Sequence, residues 1–201
     1  MTTLAIAPAR RTKVALMFVI PLVVIGLATL VYYTGIGVPR ATSNRGELLQ
    51  PPPNIDAVAL RETGGAPWRH AGAERDWSML VVASGECAQD CRERVHLTRQ
   101  VRTALGRDAP RVARLLVGTG GAVDAALVAE LRGEHHDLLA LRADDEDAFE
   151  RLLDRAPGAP VGVYLVDPRG FVMMRYDAIH GGREMLGDLR FLLRHSAPPA
   201  R

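Results

Sequence analysis

Cys87 and Cys91 are the only cysteines in the chain, and a separation of four residues brings two sulfurs to the same side of one helical turn. They stand in the run Ser84, Gly85, Glu86, Cys87, Ala88, Gln89, Asp90, Cys91. An apolar strand pattern ends just before this run and a helical pattern begins within it. Backbone N–H groups left unpaired at a helix start stabilise a thiolate, which is both the nucleophile of disulfide exchange and a soft-metal ligand. Cys87 is expected to feel this most. The pair therefore has three readings: reversible thiol–disulfide chemistry, capture of one soft ion such as Cu(I), and a fixed structural disulfide or two buried thiols. A bridge over so short a loop restrains the unfolded chain less than a long-range one.

The elements that must position this pair follow from apolar periodicity. Residues 78–83 (SMLVVA) form a compact run of the kind a buried strand shows. Val95, Leu97, Val101, Ala104 and Leu105 then mark a helix over 87–105, with Gly106 placed as its C-cap glycine. A short strand is expected at 56–61, further strands at 112–117 and 138–141, and a helix between these last two at 123–131. Asp144 reads as the N-cap of a helix carrying Phe149, Leu152 and Leu153, which residues 157–160 stop. Residues 161–166 and 171–176 form a hairpin around Asp167, Pro168, Arg169 and Gly170. A last helix spans 183–194, with Met185, Leu186, Leu189, Leu192 and Leu193 on one face. Helical crossovers give parallel strand pairs and the tight turn an antiparallel one, so the order predicts an α/β domain: a mixed sheet flanked by helices.

Ahead of this domain, residues 14–38 carry no charged side chain. The stretch 14–33 supplies about the 20 apolar residues a membrane-spanning helix needs, and it ends in Tyr32 and Tyr33 rather than in the small residues of a cleavage site. Arg10, Arg11 and Lys13 precede it, so the positive-inside rule leaves residues 1–13 in the cytoplasm. The expected organisation is a cytoplasmic N-terminus at 1–13, an anchor at 14–38, a Pro-containing stalk at 39–54, the domain at 55–196 and a tail at 197–201. Lys13 is the only lysine, which together with abundant Ala, Gly and Pro points to a GC-rich bacterium. In such a cell the domain lies in the periplasm on the inner membrane, where two cysteines can form a disulfide. The formal charge of +2 is spread among acidic residues, leaving no electrostatic footprint for nucleic acid.

This order of elements, with two cysteines between a central strand and the following helix, resembles the thioredoxin superfamily. The three-residue gap between the cysteines, the N-terminal anchor and the segment Tyr164, Leu165, Val166, Asp167, Pro168, Arg169, Gly170 make it similar to the Sco family. That resemblance implies a membrane-anchored thioredoxin-like fold and a role in assembling a respiratory haem–copper (cytochrome c) oxidase, with an oxidase subunit or another assembly factor as partner. It also implies copper handling or thiol–disulfide oxidoreductase chemistry at Cys87 and Cys91. The pattern departs from the family where its prolines after each cysteine are replaced by Ala88 and Arg92, and where its copper-binding His is replaced by Ala159. His180, after the hairpin, is the substitute ligand to examine, in a Gly-flanked loop expected to be solvated. His135 and His136 read as a solvated edge, and Pro160 as the nearest counterpart of the cis-proline that faces the cysteines in thioredoxin-like proteins. The contrasting expectation is a tethered scaffold with a locked disulfide and no chemistry of its own.

Overall fold

The computed structural model describes residues 8–34, 44–70, 77–121, 123–156 and 158–196, and the chain divides into the units Met1–Ser43 and Asn44–Arg201. The first unit is the helix α1, Pro8–Thr34. Its stretch Ala15–Tyr33 is long and apolar enough to cross a membrane. At 1.5 Å per residue such a stretch spans about 30 Å, the thickness of a hydrocarbon core. Residues 1–7, the end of the expected anchor at 35–38, the start of the stalk at 39–43 and the tail at 197–201 lie outside the described residues.

The second unit is built on a sheet of eight strands in the order β1-β8-β7-β4-β5-β6-β2-β3. In chain order these are β1 (Glu47–Leu48), β2 (Leu60–Glu62), β3 (Pro67–Trp68), β4 (Trp77–Ser84), β5 (Val112–Thr119), β6 (Leu138–Ala143), β7 (Gly162–Val166) and β8 (Val172–Tyr176). The helices are α2 (Gln89–Ala104), α3 (Ala125–Glu134), α4 (Glu146–Leu152) and α5 (Gly182–His195). β4, β5 and β6 pair in parallel, while β7 pairs antiparallel with both β4 and β8. The expected mixed sheet with flanking helices is thus the observed one.

Strand geometry explains why β4 reads as a continuous apolar run. Successive side chains point to opposite faces, and both faces of β4 are covered. Met79, Val81 and Ala83 join a cluster with Val95 of α2, Leu131 of α3 and Met185 and Leu189 of α5. Leu80 and Val82 join a second cluster with Phe149 of α4, Leu153 and Ile55.

Several boundaries differ from the sequence reading. Residues 44–54, expected as stalk, fold onto the sheet: β1 pairs with β8, Asn54 bridges to Phe171, and the Val172 N–H bonds the Pro53 carbonyl. The strand expected at 56–61 splits into a 3₁₀ turn, Ile55–Ala57, and β2. The cap of α4 is Asp145, whose side chain accepts from the Ala148 N–H, because Asp144 turns outward to pair with Arg61 at 2.8 Å. Of the stop expected at 157–160, Pro157 lies outside the described residues.

Candidate functional site

The turn that carries the cysteines is made by the end of β4. Gly85 takes φ +73°, a left-handed conformation that glycine adopts without a Cβ penalty. Its N–H bonds the Thr119 carbonyl at 2.9 Å, which ties the turn to the end of β5. Ala88 then caps α2 without a side-chain hydrogen bond, so the first turn of the helix has no side-chain acceptor at its cap. Cys87 stands one residue before the cap and Cys91 is the third helical residue. They are joined in a disulfide with Cα atoms 5.0 Å apart.

The two sulfurs differ in access. Cys87 is 8% exposed and Cys91 fully buried. Since exchange needs an incoming thiolate to reach a sulfur, the residual exposure makes Cys87 the more accessible of two buried cysteines. Both cysteines pack into the cluster that holds Met79 and Val81, Cys91 from the first turn of α2 and Cys87 from the turn before it.

The chain direction of the strands sets what else lies at this end of the sheet. β7 begins here and β8 ends here, because β7 is antiparallel to both β4 and β8. The loop at 159–161 and the loop at 177–181 therefore share an end with the disulfide. His180 is half-buried rather than solvated: its Nδ1 lies 2.7 Å from Asp177 Oδ1, its ring stands edge-on to Tyr176, and its carbonyl accepts from Arg94. It lines a hollow with Glu93, Arg94 and Leu97. Among the described residues no group of three or more His, Cys, Asp and Glu is arranged to hold a metal ion, so His180 is not brought together with the cysteines as a ligand set. Ala159 offers no side-chain donor, and the cis peptide found among the described residues is Gln50–Pro51, not the bond to Pro160. His135 is buried at the C-terminus of α3, contrary to the solvated edge expected, whereas His136 is exposed. Burial and the neighbouring charges of Arg114 and Arg99 hold His135 below its ordinary pKa.

Sequence reasoning missed a polar network directly behind the cysteine turn. Glu150 of α4 accepts from Ser84 Oγ at 2.9 Å, Thr119 Oγ1 at 2.6 Å and Arg155 Nε at 2.8 Å. Burial works to raise the Glu150 pKa, but the hydrogen bonds from Thr119 and Ser84 and the charge of Arg155 outweigh it, leaving the carboxyl below its usual range. A carboxylate with a lowered folded pKa stabilises the protein above its unfolded value, about 4.3, and that contribution is lost as pH falls through the folded value. Thermal melts followed by circular dichroism are therefore expected to lose midpoint steadily as pH falls below about 5. Glu150→Gln, less stable at neutral pH, is expected to show a shallower slope over that window. An unchanged slope would mean that the carboxylate is not ionised as described.

Comparison with known proteins gives one family and one fold. The family model described as transmembrane-like, thioredoxin-like, C-terminal domain matches residues 77–196. No curated protein sequence matches the chain. Copper-bound yeast Sco1 aligns at 15% identity and TM-score 0.58, covering 70% of this chain and 92% of that one. Apo Sco1 of Thermus thermophilus aligns at 19% identity and TM-score 0.58, covering 76% and 99%. BsSco, a member of the Sco family of cytochrome c oxidase assembly proteins described as having a disulfide switch, aligns at 10% identity and TM-score 0.56, covering 72% and 96%. At these identities the likeness is one of fold: the second unit has the thioredoxin-like fold that Sco proteins share.

Proposed function

Given that the chain belongs to the transmembrane-like, thioredoxin-like C-terminal domain family, we propose that it is a membrane-anchored assembly factor for a respiratory haem–copper oxidase, working through Cys87 and Cys91. The observation that carries this reading is the pair itself: a disulfide at a strand end and an uncapped helix start, with Cys87 8% exposed and Cys91 fully buried. The oxidase connection rests on likeness to Sco structures. The placement rests on the apolar stretch Ala15–Tyr33, which we read as an inner-membrane anchor with the basic Arg10, Arg11 and Lys13 inside and the domain in the periplasm.

As a thiol reductant, the Cys87 thiolate attacks one sulfur of a client disulfide and the other client sulfur leaves as thiolate. The Cys91 thiolate then attacks the Cys87 sulfur and frees the second client thiol. Two electrons pass to the client, and the chain is left as the Cys87–Cys91 disulfide, to be reduced again by a dithiol partner. As a copper carrier, the two thiolates hold Cu(I) as cargo, a soft ion suited to sulfur. With Ala159 in the loop and His180 held by Asp177, the chain's own donor set is two sulfurs, and a client ligand completes it. The two-sulfur set favours thiol exchange over storage of copper.

The test uses the full chain in detergent micelles, anaerobically. The Cys91→Ser variant is expected to form a mixed disulfide at Cys87 with a client-like disulfide reagent, whose other sulfur leaves as thiolate, at a rate far above that of Cys87→Ser. Reduced wild type is expected to compete with a chelator for one Cu(I), and either serine variant to lose that copper. If the native disulfide resists dithiothreitol, or neither adduct nor copper forms, the cysteines are a structural staple and the scaffold reading replaces this one.

A further inference from the structure

Glu150 and Arg155 form a buried ion pair at the end of the sheet that carries the disulfide. Removing two such charges from water costs several kcal/mol per ion, and well-packed apolar residues commonly serve stability as well or better. A pair in this position is explained by where its hydrogen bonds go. Besides Glu150, Arg155 donates to Ser84 Oγ at 3.3 Å, to the Ala159 carbonyl at 3.1 Å and to Tyr164 Oη at 3.3 Å. Glu150 receives Ser84 and Thr119. The two side chains thus gather the last residues of β4 and β5, the third residue of β7 and the loop at 159. Gly162 is part of the same packing, since a Cβ there would lie 3.2 Å from both Arg155 Nη1 and the Tyr164 ring.

Ser84 is separated from Cys87 only by Gly85 and Glu86. Fixing Ser84 on one side, with α2 packed on the other, holds Cys87 beside Cys91 and raises the effective concentration of one sulfur at the other. Held sulfurs favour the disulfide, and a loosened turn favours the dithiol. We propose that Glu150 and Arg155 are positioning residues that set the dithiol–disulfide equilibrium of Cys87 and Cys91 by pinning Ser84 and the 159 loop. This rests on the thiol-exchange reading above. The neutral Thr119 and Ser84 hydroxyls spread the buried charge over further polar partners, so Arg155 can be altered without removing every bond that Glu150 makes.

The experiment equilibrates the full chain in micelles with glutathione buffers and reads the reduced fraction by thiol trapping. Arg155→Met is expected to shift the equilibrium toward the dithiol by at least tenfold, which is about 30 mV for two electrons. Arg155→Lys keeps the charge opposite Glu150 but lacks the planar fork that spans Ser84, Ala159 and Tyr164. It is expected to shift the equilibrium in the same direction with little loss of melting temperature, and it answers the question if Arg155→Met does not fold. Val112→Ala, in the buried start of β5 far from the disulfide, is the control that loses stability without moving the equilibrium. If wild type titrates normally while both Arg155 variants overlay it, the positioning role is wrong and the thiol reading stands. A disulfide that no glutathione buffer or dithiothreitol reduces removes both.

Discussion

Asp188→Ala is expected to lower stability by about 3–5 kcal/mol, because one buried carboxylate serves several donors and truncation strands all of them. Asp188, on α5, accepts from the N–H of Arg45 at 3.0 Å, from the N–H of Gly46 at 3.0 Å and from Tyr176 Oη at 2.7 Å. Hydrogen bonds to a charged group contribute about 1.5–3 kcal/mol each, and the bonds in one network do not sum fully. Burial and the Asp188 carboxylate push the Tyr176 phenol far above its ordinary pKa, so it stays a donor throughout the working range. At about 2–4 °C per kcal/mol for a domain of this size, the melting midpoint is expected to fall by roughly 6–20 °C. Amide exchange at Arg45, Gly46 and β1 is expected to rise with it. Tyr176→Phe, which removes one donor and strands none, is expected to cost about 1–1.5 kcal/mol. A loss for Asp188→Ala no larger than that of Tyr176→Phe would contradict the shared-acceptor account.

Asp137→Ala is expected to cost about 3–5 kcal/mol for a different reason: it leaves a buried cation without its counter-charge. The Arg114 side chain is 0% exposed and that of Asp137 16%. Arg114 Nη1 lies 2.8 Å from Asp137 Oδ1, its Nε donates to Thr98 Oγ1 at 3.2 Å, and its Nη2 to the Val95 carbonyl. Strand parity puts Arg114 on the face of β5 shared by Val112 and Leu116, under α2, so the guanidinium has no route to water. The reverse change is expected to be milder. Arg114→Met fills the space with an apolar chain, while Asp137 keeps Arg102 at 3.2 Å and part of its hydration. The expected order in urea titrations is Asp137→Ala well below both Arg114→Met and the double variant, the double variant recovering at least half of the loss. Equal losses for the two single variants would show that the pair acts through packing rather than through charge.

Both sites illustrate what a sequence does and does not display. β4, β5, α2 and the β7–β8 hairpin were legible because each has a local signature: a two-face apolar run, a helical stripe, a Pro-Arg-Gly turn. β1 and β3 have no such signature. Each is two residues long, and what makes it a strand is a partner far along the chain, Glu47 against Arg175 and Pro67 against Arg61. The cap of α4 was placed one residue early because Asp144 and Asp145 are chemically alike, and only the position of Arg61 decides which turns outward. The cysteines announced themselves by type and spacing. Glu150 did not, since it stands among Asp144, Asp145, Glu146 and Asp147 in what reads as a solvated helix start. One signal was available: Glu150 is three residues before Leu153 and so shares its buried face. Arg155 falls beyond the helix and is drawn inward by that carboxylate, a pairing that periodicity does not encode.

The short outermost strands also bear on how another protein can engage this one. A peptide that binds by extending a sheet needs a row of free N–H and C=O groups several residues long. Here the terminal strand on either side is two residues among the described residues, about 7 Å of ladder. That is too little to template an added strand, and equally little for a neighbouring copy to stack against. Under the proposed function, recognition of a client then falls to the side chains and loops around the cysteine turn, and selectivity to what can approach Cys87 end-on.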